Sequence, residues 1–282
     1  MQQDYVISLT TIPPRFDRIA GTLDSLLQQS LPAQRVILYL PRHYRRFPEY
    51  DGHLPDVPDG VEIRVIDRDF GPATKVLPAV QEFAGQGVEL LFCDDDMFYP
   101  SWMAARFLKA RSAHPTSAVT LMGQMITSVL EDATPTPLRP HRVRLWRSAD
   151  VPFQTHMLWR QLIARLGGPA LIEPPRRTII RSGYGDFFEG YGAVMLSPDF
   201  LPPECFDIPK FAWPVDDIWI SGQLVRSGHS IWVLGGTHEP RPMAHHFETQ
   251  SALHHTVIQG QDRGNSNRET ARYFQKTYGI GC

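Results

Sequence analysis

The chain has 282 residues with 28 basic against 30 acidic side chains, so no overall field recruits it to nucleic acid or to a membrane surface. An apolar fraction of 42% is ample for a packed core, and 21% charged is ordinary for a soluble protein. The three cysteines, Cys93, Cys205 and Cys282, are odd in number and lack metal-like spacing, which speaks for free thiols in a reducing compartment. The start, Met1-Gln2-Gln3-Asp4, carries neither a basic leader nor a signal-like apolar stretch, and no run approaches the length of a transmembrane helix. A soluble, cytoplasmic protein is expected, with peripheral contact to a membrane-bound substrate left open.

Taken in order, Tyr5-Val6-Ile7-Ser8-Leu9 reads as a buried strand, and Ile19, Leu23, Leu26 and Leu27 then fall at helical spacing. Arg35-Val36-Ile37-Leu38-Tyr39-Leu40 is a second strand, stopped by Pro41, and Val61-Glu62-Ile63-Arg64-Val65-Ile66 a third. A short helix follows, with Pro72 suited to its first turn and Pro78 expected to kink or end it. The fourth strand, over residues 88–93, runs into Asp94-Asp95-Asp96. Ser101 is the expected N-cap of a helix reaching Ala113, and residues 118–122 form a fifth strand. Strand–helix alternation of this kind predicts an α/β fold, a Rossmann-type sandwich with a mostly parallel central sheet and helices on both faces. Between Gln124 and Ile180 the pattern gives way to prolines and arginines, with one convincing helix near residues 158–166. Regularity returns with a strand at residues 192–196, a helix at 216–227, a last strand at 230–234 and a tail helix at 269–277.

The acidic triplet is the most informative feature. A buried strand that ends in stacked carboxylates puts negative charge at the carboxyl edge of the sheet, where open α/β sheets bind ligands. Carboxylates this close repel, so they need a cation, ligand donors or water. A hard divalent cation, Mn²⁺ or Mg²⁺, shared with a diphosphate is the direct solution. Two more strand ends converge on that edge. Thr10-Thr11-Ile12-Pro13-Pro14-Arg15 offers hydroxyls for a ribose or phosphate and a guanidinium to stack on a base or pair with phosphate. Asp67-Arg68-Asp69-Phe70-Gly71-Pro72-Ala73-Thr74-Lys75 offers Asp69 to a base or ribose hydroxyl. It also places Lys75 in a predicted first turn, where the dipole disfavours a cation unless it faces phosphate or the nearby carboxylates.

A strand ending in this triplet, with the Thr-Thr-Ile-Pro-Pro-Arg loop after the first strand, resembles the nucleotide-sugar-dependent glycosyltransferases of the GT-A fold. Their Asp-X-Asp motif is matched by Asp94-Asp95-Asp96, and the likeness spans roughly residues 5–246. The resemblance implies one GT-A-like domain over 1–282. Its donor nucleotide-binding half would be about 1–123, and its acceptor half with the tail about 124–282. It further implies that Asp94 or Asp95 approaches the ribose and that Asp96 ligates the metal bridging the donor diphosphate. One late histidine would complete the metal shell, with His246 and His245 best placed and His238 in reserve.

A second anchor is Trp213-Pro214-Val215-Asp216-Asp217-Ile218-Trp219. Carboxylates at a helix start can simply cap it. Inverting members of the resembled family have an acidic pair here whose last aspartate is the general base, which puts that role on Asp217 and leaves Asp216 to acceptor hydroxyls or the cap. Trp213 and Trp219 suit the C–H face of a sugar, although Trp219 shares a helix with Leu224 and Val225 and fits the core equally. The segment Tyr184-Gly185-Asp186-Phe187-Phe188-Glu189-Gly190-Tyr191-Gly192 resembles an acceptor-side loop, with Tyr191 as an acceptor contact and glycines that permit close backbone approach. The expected activity is metal-dependent, inverting transfer of a sugar from a nucleoside-diphosphate sugar, UDP favoured, to a glycan acceptor, with a role in surface-polysaccharide assembly. A retaining mechanism follows if the pair is only structural. The alternatives are a non-catalytic metal-dependent carbohydrate- or nucleotide-binding module and a sugar-phosphate nucleotidyltransferase. The nucleotidyltransferase wants a glycine-rich loop after the first strand, and residues 10–15 contain no glycine. No Gly-X-Gly-X-X-Gly follows any strand, which removes dinucleotide dehydrogenases.

Overall fold

A computed structural model describes residues 4–169, 171, 174, 176–243 and 263–281. Eight strands form the main sheet: β1 (Tyr5–Thr10), β2 (Arg35–Pro41), β3 (Val61–Ile66), β4 (Glu89–Phe92), β5 (Ser117–Thr120), β6 (Gly183–Gly185), β7 (Val194–Leu196) and β8 (Ser230–Val233). Their order across the sheet is β6-β8-β5-β7-β4-β1-β2-β3. β3, β2, β1, β4, β5 and β8 run one way, while β7 and β6 run against them. β4 is buried at every position and β2 at all but its first, as strands covered on both faces must be.

The described residues form six α-helices: α1 (Ala20–Leu27), α2 (Leu77–Phe83), α3 (Met103–Ala113), α4 (Val151–Arg165), α5 (Asp216–Arg226) and α6 (Arg263–Tyr278). The core is continuous from Tyr5 and Ile7 through Leu90 and Phe92 to Trp219 and Phe274.

Three local expectations are corrected. The segment after β3 forms a 3-10 turn, Gly71–Lys75, before α2 begins at Leu77. Pro78 therefore opens a helix rather than breaking one, because a first-turn residue needs no N–H partner, and Lys75 closes the 3-10 turn. Ser101 caps nothing: Trp102 precedes α3 without a side-chain cap bond, and the Ser101 carbonyl accepts from the Ser30 N–H at 2.8 Å. α4 starts seven residues before its expected onset, at Val151. Asp150 accepts from the Phe153 N–H there, and Pro152 lies in the first turn.

Because β1, β2, β3 and β4 run parallel, their following loops all open at one edge. Antiparallel β7 enters the sheet at that same edge, with Val194 opposite Phe92. The loop Gly190–Gly192 just before β7 is thereby brought beside the aspartates that follow β4.

Candidate active site

The edge forms a cleft of about 440 Å³. Thr10, Thr11, Arg15, Asp69, Lys75, Asp94, Asp95 and Asp96 line one side, and Tyr191, Trp213, Asp216 and Asp217 come to it from the second half of the chain. Pro13 begins the 3-10 turn Pro13–Arg15 but does not line the cleft. Trp219 does not line it either. It is 2% exposed, its indole N–H donates to the Cys205 carbonyl at 2.9 Å, and it packs on Tyr273 and Phe274. The helix turns it inward, into the core. His245 and His246 lie outside the described residues, and His238 lines a separate recess with Leu145 and Phe153.

Each aspartate of the triplet has its own fate. Asp95 is 7% exposed, and its carboxylate accepts from Thr11 Oγ1 at 2.5 Å and from Arg15 Nη1 at 2.5 Å. Its backbone carbonyl accepts from Thr22 Oγ1 at 2.9 Å. Burial pushes its carboxyl upward, against the pull of Arg15. Asp95 thus anchors the loop after β1 to the end of β4, and Arg15 faces carboxylates in the cleft it lines. Arg15 also reaches Asp96 at 3.2 Å. Asp94 differs in keeping about a third of its side chain exposed (33%).

Lys75 sits at the centre. Its ammonium lies 2.5 Å from Asp94 Oδ1 and 2.8 Å from Asp216 Oδ2, with only 6% of the side chain exposed. Burial works to deprotonate it, but Asp216, Asp94 and Asp217 together hold its pKa well above the ordinary lysine value. One cation thereby bridges the strand-end cluster and the start of α5.

At α5 the residue before the helix is Val215, which makes no side-chain cap, so Asp216 is the first helical residue and pairs with Lys75 instead of capping. Asp217 accepts from the Gly190 N–H at 3.0 Å, with Arg263 Nη2 at 3.7 Å from its other oxygen. Burial first, and then the charge of Asp216, push the Asp217 carboxyl up to about 8. Gly190 makes this convergence fit. A Cβ there would stand 2.5 Å from Lys75 Nζ, 2.9 Å from Asp217 Oδ1 and 3.1 Å from Asp94 Oδ1.

In the loop after β3, Asp69 accepts from the N–H groups of Arg45 at 2.8 Å and Gly71 at 2.7 Å, shaping the loop. Gly71 adopts a left-handed φ of 61° and lies under the Trp213 ring, where a Cβ would come within 2.8 Å. Trp213 is 8% exposed and stacks at 5.4 Å beneath the Arg45 guanidinium.

Several lining residues escaped the sequence reading. Tyr44, Arg46 and Phe47 follow β2, and the Tyr44 hydroxyl donates to the Thr11 carbonyl at 3.0 Å. Applied to β2, the strand-end rule that found the other three loops would have flagged them. Glu239 and Arg263 also line the cleft, from positions with no local signal.

Asp94 and Asp96 carry the carboxylate oxygens that a hard divalent cation takes, with Lys75 facing Asp94 and Arg15 facing Asp96. Asp94 is the solvent-reaching member, and Asp96 stands beside it. Among the described residues no three His, Cys, Asp or Glu side chains come together as a group that could hold a metal ion.

No family model and no curated protein matches the chain. Among solved structures it is similar to S. aureus TarS residues 1–349 in complex with UDP, with a TM-score of 0.44 and 13% identity over 86% of this chain and 61% of that one. It is likewise similar to the same TarS fragment in complex with UDP-GlcNAc, with a TM-score of 0.44 and 13% identity over 89% and 63%. The chain spans less than two thirds of the length of these TarS structures.

Proposed function

We propose that the chain is a glycosyltransferase that moves a sugar from a nucleoside-diphosphate sugar, UDP favoured, to a hydroxyl of a glycan acceptor with inversion. The observation that carries this reading is the meeting, across one cleft, of the acidic end of β4 and the acidic start of α5, joined by buried Lys75. A Mn²⁺ or Mg²⁺ ion held by Asp96 and Asp94 would neutralise charge on the departing diphosphate.

Within the chain, Lys75 and Arg15 keep the carboxylates at fixed positions, so little reorganisation is needed when a charged donor enters. Tyr191 would give the acceptor an aromatic contact in the cleft that holds Asp217, and Trp213 lines the same cleft. As the acceptor hydroxyl attacks the anomeric carbon, its proton passes to an Asp217 carboxylate oxygen. The bond from that carbon to the diphosphate oxygen breaks, and the leaving group keeps the electron pair. The Gly190 N–H fixes Asp217 Oδ1, leaving Oδ2 toward Arg263.

The first test is thermal stabilisation by UDP, GDP, CMP and dTDP, each with Mn²⁺ and with EDTA, because a ligand of the native state raises the melting point by mass action. A metal-dependent rise is expected, with UDP first, and no rise with any nucleotide sinks the reading. Asp217→Asn should retain that rise while transfer falls ~10²–10⁴-fold, the usual worth of a general base. Transfer at the parent rate in that variant removes Asp217 from the role. A nucleotide shift with no turnover in the unaltered chain points to a binding module.

A further inference from the structure

The near-neutral charge of the whole chain conceals an uneven distribution. Positions 138–181 hold nine arginines, no lysine and two acidic residues. The same stretch supplies most of the exposed large apolar side chains among the described residues. Trp146 is 79% exposed, Leu166 74%, Leu158 65%, Val151 64%, Trp159 56% and Leu162 47%.

α4 explains the pattern. Phe153 is its one buried residue, packed under the guanidinium groups of Arg147 and Arg176. The positions 151, 158, 159 and 162, continued by 166, fall within about 100° of one another at helical spacing, on the side opposite Phe153. The helix therefore turns its apolar stripe outward. Exposed arginines border it: Arg165 at its end and Arg177, which shares a recess with Val151 and Pro152.

We propose that this face is a membrane-docking surface that lies in the headgroup region of an anionic bilayer, with Trp146, Trp159 and the leucines in the acyl boundary and the arginines on lipid phosphates. The chemistry fits: an apolar stripe with tryptophan, flanked by arginine on an otherwise acidic chain, matches an interfacial helix held by both apolar burial and anionic lipid. A second copy is the poorer occupant, since pairing two such faces would set arginine against arginine. Among the described residues no helix is long and apolar enough to cross a membrane. Glu239 connects the surface to the cleft. It lines the cleft, accepts from Thr178 at 2.8 Å and donates its N–H to the Arg176 carbonyl at 2.8 Å.

The full chain should sediment with vesicles of equal parts phosphatidylglycerol and phosphatidylcholine. Pure phosphatidylcholine vesicles should bind it at least ~10-fold more weakly, because each basic side chain at an anionic surface is worth roughly fivefold, and added salt should weaken the binding. Leu158→Gln with Leu162→Gln should cut vesicle binding ~10-fold or more at an unchanged melting temperature, since exposed positions bear polar substitution without loss of fold. Arg165→Gln with Arg177→Gln should erase the preference for phosphatidylglycerol. None of these four residues lines the cleft, so nucleotide-dependent stabilisation should persist and the two proposals can fail separately. Absence of binding to the anionic vesicles, or equal binding by the double-leucine variant, overturns the inference. So does a dimer in sedimentation velocity that the leucine variant dissolves while vesicles are ignored.

Discussion

At the end of β4, Asp95 has its carboxylate taken up by Arg15 and Thr11. At the start of α5, Asp217 has a single backbone N–H and a guanidinium 3.7 Å away. Both lie in the same cleft, and both are raised by burial. Their neighbourhoods divide the labour: an acid closed in by donors serves as a brace, and one left with an underused oxygen and a raised pKa can exchange a proton. Lys75 is common ground, since it compensates Asp94 on one side and Asp216 on the other.

The largest effect should come from removing that shared cation. Lys75→Met leaves two carboxylates without their buried partner, and breaking a buried pair from one side costs ~3–5 kcal/mol. Urea denaturation measures it, and a loss below ~1 kcal/mol would show that water reaches Asp94 and Asp216 freely. Asp95→Ala should cost ~1–3 kcal/mol, because Thr11 loses its acceptor and Arg15 keeps only Asp96. The same change should leave nucleotide affinity nearly intact if Asp95 is a brace, and a large affinity loss would instead bring it to the ligand. Gly190→Ala drives a methyl group into Lys75, Asp217 and Asp94, for ~1–3 kcal/mol by overpacking. Its transfer activity should fall further than its stability.

A further effect concerns pH. An unfolded chain releases the Asp217 proton near pH ~4, whereas the folded chain keeps it until about 8. Between those values the native state binds more protons, so this group lowers stability as pH rises and the loss levels off above about 8. Asp217→Asn should remove that slope and be the more stable protein at alkaline pH, read from melting temperature against pH. Transfer, by contrast, should climb in the parent as Asp217 deprotonates through about 8. A flat profile would move the base elsewhere.

The α/β fold was legible in the sequence because its signals are local: apolar runs of strand length, each ending in polar residues. The acidic motifs were visible for the same reason. Strand direction was not, since β7 is apolar at every position and would read identically whichever way it ran. Pro78 misled because a proline that ends one helix and a proline that starts another look alike without knowledge of the 3-10 turn before it. Trp213 and Trp219 carry the same chemical promise six positions apart, and only the rotation of α5 sends Trp219 into the core. Arg263 reaches Asp217 from α6, a pairing across 46 positions that no periodicity announces.

The place of β7 in the sheet has a consequence for how the chain is made. Val194–Leu196 fills the gap between β4 and β5, two strands that are complete by Thr120. During synthesis the edges of β4 and β5 therefore wait, unpaired, for a three-residue strand that emerges more than seventy residues later. Pairings of such sequence separation form slowly, and open strand edges invite association while they wait. Conditions that slow elongation beyond β5 or weaken β7 should appear first as lost soluble yield, before any change in the finished protein is measurable.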